Sequence, residues 1–138
     1  MNIMGEKEQM ANFNFNKAII GGRITDTPVL QTKEGRDPVT YFDVAILRKR
    51  GGKNGEDTVT DFPKIVAWGK NAEYVCNNFT KGSTVCVVGN IRTRSYTKDG
   101  VKGFSTEIIA DEVFLIDSKA DKKEIMRRIT DAEDFSEE

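Results

Sequence analysis

The stretch VGNIRTRSYTKDG, residues 88–100, places two guanidinium groups and a phenol at alternate positions. Because successive side chains of a strand point to opposite faces, we expect Arg92, Arg94 and Tyr96 on one face together with Asn90. The opposite face is apolar and holds Val85, Val87, Gly89 and Ile91. Guanidinium groups bind anionic oxygens, and an aromatic ring offers a flat surface for stacking. Residues two apart in a strand are spaced by about 6.6–6.8 Å, which is comparable with the repeat of an extended nucleotide chain.

A second segment, TDFPKIVAW (residues 60–68), shows the same interleaving of aromatic and cationic side chains. Its two-residue period places Phe62, Lys64 and Trp68 on one predicted face together with Val66. Aromatic side chains stack on bases, which contributes roughly 1–3 kcal/mol per base, while lysine and arginine follow the phosphates. Two segments therefore independently predict a groove for a single-stranded nucleic acid.

A third cluster is basic and ends the segment VTYFDVAILRKR, just before the glycine-rich loop GGKNGED; it consists of Arg48, Lys49 and Arg50. Each cluster also has an ordinary structural explanation. Large aromatics such as Phe62 and Trp68 are usually core residues, and arginines on a strand often only face water. Taken together, three clusters on neighbouring elements favour a shared groove over chance.

The elements that must position these residues are five strands and one short helix. The strand patterns are NKAIIGGRITD, VTYFDVAILRKR, TDFPKIVAWGK, STVCVVGNIRTRSY and FSTEIIADEVFLI. Between the third and fourth, NAEYVCNNFTKG repeats its apolar residues every three or four positions, with Asn71 as the predicted N-cap and Gly82 at C′. Gly21–Gly22 indicates a bend, and Asp99–Gly100 indicates a hairpin turn. This order predicts an all-β OB-fold, a five-stranded Greek-key barrel with one short helix between strands 3 and 4.

The chain is predicted to divide into three regions. We expect a disordered N-terminal lead-in at residues 1–12, an OB-fold domain at 13–117 and a short charged C-terminal tail at 118–138. In the tail, a weak amphipathic helix is compatible with the positions of Ile125, Ile129 and Ala132.

The composition argues against several kinds of site. The chain has no histidine, which removes the commonest metal ligand and general base. The carboxylates that a metal-dependent nuclease would need, Asp43, Asp61 and Asp111, are scattered over separate strands. We therefore predict no enzyme activity, no metal and no cofactor. Cys76 and Cys86 lack a CxxC spacing and are expected to be buried free thiols in a reducing cytoplasm.

The charges are unevenly distributed along the chain. The formal net charge is −1, but residues 131–138 carry five acids and no base, which leaves residues 1–130 with 21 bases and 17 acids. This asymmetry predicts a polyanionic partner for the body and a separate role for the acidic tip. The sequence has no long apolar run and no charged-then-apolar leader, so we expect a cytoplasmic protein without a membrane partner.

Four segments, GRITDTP, FPKIVAWGK, FTKGSTVCVVGNIRTRSY and FSTEIIADEVFLI, resemble in this order the bacterial single-stranded DNA-binding protein family, which also occurs in phages and plasmids. The likeness runs from about Asn16 to Ile116. It implies an OB-fold homotetramer that binds single-stranded DNA with little sequence preference during replication, recombination and repair. The DNA-contacting aromatics of the family match Phe62, Trp68 and Tyr96, and its basic contacts match Lys64, Lys70, Arg92 and Arg94.

The sequence departs from the family pattern at three places. Arg50 stands where many relatives have a further aromatic, and the tail lacks a long Gly-, Pro- or Gln-rich linker. Family tails commonly end in acids followed by Ile-Pro-Phe, whereas here Phe135 follows Asp131, Glu133 and Asp134 but is itself followed by three residues. From its charge, we expect the acidic tip either to repel DNA weakly or to recruit basic pockets on replication or recombination proteins. The short tail and altered tip would suit a phage or mobile-element member.

Two other functions remain open from the residues alone. An RNA-binding or primosome-type OB-fold protein would have the same groove for a different polymer. A non-enzymatic adaptor would use the barrel to bind protein, and its basic face would be incidental.

Overall fold

The computed structural model describes residues 12–51 and 57–130, which form a curved, mostly antiparallel sheet with two helices. The strands are β1 (Ala18–Ile24), β2 (Val39–Lys49), β3 (Thr58–Asp61), β4 (Lys64–Trp68), β5 (Thr84–Lys98) and β6 (Val101–Leu115). Helix α1 (Lys70–Asn78) connects β4 to β5, and helix α2 (Lys119–Thr130) follows β6.

The sheet closes into a barrel. Its strand order is β1-β5-β6-β4-β2-β3, and an additional pairing of β1 with β2 closes the ring of five strands, which leaves β3 outside it. Among the described strands, only β4 and β6 are parallel neighbours. This confirms the predicted all-β barrel. The helix follows the third predicted strand and precedes the fourth, which is β5 in the structure. The predicted third strand is divided into β3 and β4 at Phe62–Pro63, because proline has no N–H to donate to a ladder. β3 extends β2 as a separate hairpin arm.

The core consists of the inward side chains of the barrel and the apolar side of α1. Fully buried members include Ile24, Val44, Ile65, Val75, Phe79, Val85 and Val87. Closure depends on a close approach at Gly22, where an added Cβ would clash with the carbonyl oxygen of Ala45. Gly22 therefore lets β1 cross against β2, immediately before the Arg23–Ala45 pair.

Helix α1 differs from the prediction at both ends. It begins at Lys70, with Gly69 as the N-cap, so that Asn71 is the second helical residue. The Asn71 amide instead donates to the carbonyl oxygens of Ala110 and Asp111, at 3.3 and 3.1 Å, and ties the helix to β6. Its last helical residue is Asn78, whereas Gly82 has φ +91° in the turn that follows. The prediction of Asn71 as the N-cap is wrong because its amide has tertiary partners that a local sequence pattern does not reveal. The prediction of Gly82 at C′ is wrong because the helix ends four residues earlier.

The β5–β6 hairpin extends beyond the core. Its turn has positive φ at Asp99 and Gly100, +53° and +78°, as a type I′ turn requires. From Ile91 to the end of β5, every side chain is exposed. The predicted hairpin signal is thus confirmed, and it forms the tip of a long arm.

Helix α2 lies where the sequence allowed a weak amphipathic helix. Ile125 is buried, and the Arg128 guanidinium carbon lies 5.6 Å from the centre of the Phe114 ring. An apolar cavity of about 430 Å³ between α2 and the sheet is lined by residues of β1 and β5, including Ile19 and Cys86. No helix of the described residues is long and apolar enough to cross a membrane.

Candidate nucleic-acid interface

The register of the sheet places the predicted aromatic and basic residues on one surface. Val66 of β4 is opposite Ile109 of β6, and Ile109 is opposite Asn90 of β5. Residues directly opposite one another in a ladder share a face, and residues two apart along a strand do the same. We call this surface the outer face; it comprises Tyr41 and Asp43 of β2, Lys64, Val66 and Trp68 of β4, Glu107 and Ile109 of β6, and Asn90, Arg92, Arg94 and Tyr96 of β5.

The three aromatic residues predicted to stack bases are exposed. Trp68 is 37% exposed, Tyr96 46% and Phe62, in the break between β3 and β4, 59%. Val66, on the same face, is buried. On this face of β4, the side chains at the two ends, Lys64 and Trp68, are therefore accessible, whereas Val66 at the centre is covered.

Arg36, in the loop between β1 and β2, was not identified from the sequence. Its guanidinium carbon lies 5.9 Å from the centre of the Trp68 ring, within cation–π distance. It therefore adds a cation beside an aromatic at the β4 end of the outer face. The residue lies outside any strand, so no periodic pattern could have indicated it.

Tyr96 lies across its cross-strand partner, Gly103. A Cβ added to Gly103 would stand 2.6 Å from the ring carbon Cζ and 2.7 Å from the hydroxyl oxygen. The absence of a side chain at Gly103 thus leaves the space that the phenol ring occupies, and this glycine is a second residue that the sequence did not identify.

The two arginines of β5 are held by polar neighbours. Arg92 Nε donates to Asn90 Oδ1 at 2.8 Å, and Arg94 Nη2 lies 3.3 Å from Glu107 Oε2. Glu107 is only 6% exposed, and its Oε2 has no hydrogen-bond partner within the described ranges. A buried carboxylate beneath a cationic surface attracts the guanidinium above it, which restricts where that group can lie. The register partner of Glu107 is Arg92, a relation that only the fold reveals.

The other predicted basic residues lie at different places. Lys64 is exposed and opposite Asp43, and Lys70 is exposed at the start of α1. Arg48 lies on the opposite side of β2 from Asp43, and its Nε donates to Asp61 Oδ2 at 2.7 Å. The structure therefore does not bring Arg48 onto the outer face with Arg92 and Arg94.

Lys49 and Arg50, the other two residues of the basic cluster, are exposed near the end of the first described range, residues 12–51. Lys49 ends β2, and the Arg50 backbone N–H donates to the Asp57 carbonyl oxygen at 2.7 Å. The tail residues Asp131, Glu133, Asp134 and Phe135 lie outside the described residues.

Two further observations concern metal and thiol chemistry. Across residues 12–51 and 57–130, no group of three acidic or cysteine side chains is placed to hold a metal ion. Cys76 and Cys86 are free thiols, Cys76 being half-buried and Cys86 buried. Burial raises the pKa of the Cys86 thiol, because the thiolate would lose its hydration.

Comparisons with known proteins indicate the family to which the chain is similar. The model of the single-strand binding protein family matches residues 15–116. The chain is 38% identical over 108 residues to "Single-stranded DNA-binding protein 2" of Streptococcus agalactiae serotype V, covering 78% of this chain and 82% of that one. It is 40% identical over 106 residues to a single-stranded DNA-binding protein of Caldanaerobacter subterraneus subsp. tengcongensis, covering 76% and 70%. A solved structure of the Plasmodium falciparum SSB in complex with ssDNA superimposes with a TM-score of 0.68 at 26% identity, over 78% of this chain and 100% of that chain.

Proposed function

Since the chain belongs to the single-strand binding protein family, we propose that it binds single-stranded DNA on its outer face with little sequence preference. Bound along exposed strands, it coats and protects them during replication, recombination and repair. The observation that carries the proposal is the strand register, which joins Lys64 and Trp68 of β4 to Arg92, Arg94 and Tyr96 of β5 across β6.

Binding combines stacking with phosphate neutralisation. Phe62, Trp68 and Tyr96 stack on bases, which is tolerant of sequence because every base has a π-face. On the outer face, Lys64, Arg92 and Arg94 neutralise phosphates. Lys70 and the cluster of Arg48, Lys49 and Arg50 lie off that face and contact phosphates only where the DNA strand extends beyond it. Since binding requires no bond to be made or broken, the function needs no catalytic group.

We expect Arg94 to exchange the Glu107 carboxylate for a phosphate when DNA binds. Its side chain is exposed for most of its area, and its guanidinium pairs with Glu107 at 3.3 Å without a hydrogen bond to Oε2. A phosphate oxygen offers it a charge-assisted hydrogen bond of better geometry. We therefore expect Arg94 to turn outward to DNA while Glu107 limits its range of positions in the free protein.

Fluorescence of Trp68, the sole tryptophan, tests the proposal directly. The protein is titrated with oligo-dT of 35 nucleotides at low and high salt, with duplex DNA as the control. Stacking on Trp68 predicts strong quenching by oligo-dT that duplex DNA does not cause and that salt reverses only in part. Lack of quenching together with lack of binding by anisotropy would reject the proposal and favour a protein-binding adaptor.

The choice of polymer needs a separate comparison. Oligo-dT and oligo-U of equal length are compared at one salt concentration, because affinity for a polyanion depends steeply on salt. Tighter binding of oligo-dT is the expected result, and preference for oligo-U would assign the outer face to RNA.

We also propose that the chain assembles as a homotetramer, as the family resemblance implies. The edge of β1 offers a structural basis, since within the described residues Ala18 to Gly22 pair with β5 alone, and β2 joins β1 only at Arg23 and Ile24. Light scattering should then give four times the chain mass of 15.5 kDa. A mass of one chain would reject the assembly without rejecting DNA binding.

The acidic tip of residues 131–138 is proposed to bind basic pockets of replication or recombination proteins. Its five carboxylates repel DNA and suit a cationic protein surface. A peptide of this sequence should bind such a protein in low salt, and a charge-neutral peptide with amides in place of the acids should not.

A further inference from the structure

Two phenylalanines before β1 present their rings to solvent. Phe13 is 80% exposed and Phe15 76%, with ring centroids 6.5 Å apart and planes within 15° of parallel. One residue separates them, and the short distance between the two rings places both side chains on the same side of the chain. The core does not explain them, because neither is buried against it.

Asn16 fixes this segment beside β5. Its Nδ2 donates to the Ile91 carbonyl oxygen at 2.7 Å, and the Ile91 N–H donates to its Oδ1 at 2.8 Å. The β1–β5 ladder ends at the pair Ala18–Gly89, so the Asn16 side chain continues the connection two residues further. Ile91 directly precedes Arg92 of the outer face.

The direction of the chain brings the rings toward the cationic residues. β1 and β5 are antiparallel, so the residues before Asn16 run in the direction in which β5 proceeds to Arg92 and Arg94. The segment from Asn12 to Lys17 contains one lysine and no carboxylate. Aromatic rings beside lysine and arginine form the combination that binds a single strand.

We propose that Phe13 and Phe15 form a second stacking platform for bases, which lengthens the path of single-stranded DNA past the β5 edge of the outer face. The inference rests on the proposed function and extends it to residues that precede the barrel. The Asn16–Ile91 hydrogen bonds hold the platform in place, and the arginines of β5 neutralise the phosphates between it and Tyr96.

The test removes both rings, with Phe13→Ala and Phe15→Ala combined in the full chain. Affinity for oligo-dT of 35 nucleotides should fall on the order of fivefold or more for each ring that stacks. The slope of log affinity against log salt should be unchanged, since no phosphate contact is removed. Quenching of Trp68 at saturation should also be unchanged, because the rest of the outer face remains engaged.

Phe104→Ala is the matched control. Phe104 is equally exposed but opposite Ser95, on the other face of the hairpin from Tyr96, and its removal should leave affinity unchanged. A reporter variant, Phe15→Trp with Trp68→Phe, places the only tryptophan on the platform. Its fluorescence should be quenched by oligo-dT and not by duplex DNA.

Three results would overturn the platform. They are unchanged oligo-dT affinity of the double variant, an equal loss in Phe104→Ala, and a smaller assembly mass in the double variant, which would assign the rings to a contact between copies of this chain. Failure of the proposed function has a different signature, because the wild-type protein itself would then leave oligo-dT unbound.

Discussion

Gly103 lies opposite Tyr96, and the phenol group occupies the space where a Cβ of residue 103 would stand. In Gly103→Ala, the new Cβ would stand within 3.0 Å of two ring carbons and the hydroxyl oxygen of Tyr96, so the phenol must turn away. If the ring stacks on a base in its present position, the variant should lose about 1–3 kcal/mol of binding free energy. Anisotropy titration with oligo-dT measures this loss.

Tyr96→Ala provides the control for that substitution. Adding Gly103→Ala to Tyr96→Ala should have little further effect on affinity, because the ring it displaces is already gone. Additive losses would mean that Gly103 acts through the hairpin backbone and not through Tyr96.

Cys86 predicts a dependence of stability on alkaline pH. Burial raises the pKa of its thiol in the folded state, so the stability it contributes is complete below the ordinary thiol pKa of about 8.5. As pH rises beyond that value, the unfolded chain releases the proton first, and stability declines until the folded thiol also ionises. The slope from this group is at most about 1.4 kcal/mol per pH unit.

The measurement compares urea unfolding of the wild type and Cys86→Ala between pH 7 and pH 10, at one protein concentration. Above about pH 8.5 the wild type should lose stability more steeply than Cys86→Ala. Equal slopes in wild type and Cys86→Ala would show that other groups cause the decline.

At the scale of elements, α2 is held to the sheet by few side chains, of which Ile125 is the buried one. Ile125→Ala removes that anchor and should destabilise the protein by about 2–4 kcal/mol. Undocking of α2 should also expose Cys86, which shares the cavity with Ile125. The rate of Cys86 modification by a thiol reagent, with Cys76→Ala as background, should therefore rise.

Lys123→Ala is the control on the exposed side of α2 and should leave that rate unchanged. DNA affinity of Ile125→Ala is expected to stay close to wild type, because α2 packs against the Thr84–Cys86 end of β5 and the outer-face arginines lie at the other end. A large loss of affinity would mean that α2 supports the DNA-binding surface.

For the whole molecule, the charge differs between residues 1–130, which have an excess of bases, and the acidic tip of residues 131–138. Deleting residues 131–138 removes five carboxylates and no base, which changes the formal net charge from −1 to +4. Affinity for oligo-dT at low salt should be equal to or higher than that of the full chain, and the difference should shrink as salt screens it. A marked loss of affinity on deletion would contradict the assignment of the tip to protein partners.

The sequence alone determined the barrel and the side chains that share each face of a strand. Side chains alternate strictly in a strand, so the spacing of Arg92, Arg94 and Tyr96 was sufficient to place them on one face. Asp99–Gly100 was equally decisive, since few residue pairs accept positive φ at both turn positions. Local rules such as these operate within a few residues and need no tertiary context.

The tertiary structure decided which of these local faces meet. Lys64 and Trp68 join Arg92 and Tyr96 only because β6 lies between β4 and β5, an arrangement of residues far apart in the chain. The same long-range contacts draw the Asn71 amide away from the helix N-cap and pair Arg48 with Asp61. They also bring Arg36 to Trp68, Gly103 beneath Tyr96 and Glu107 beneath Arg94. The sequence of a strand determines which side chains share a face. Which other strands lie beside that face depends on closure of the barrel.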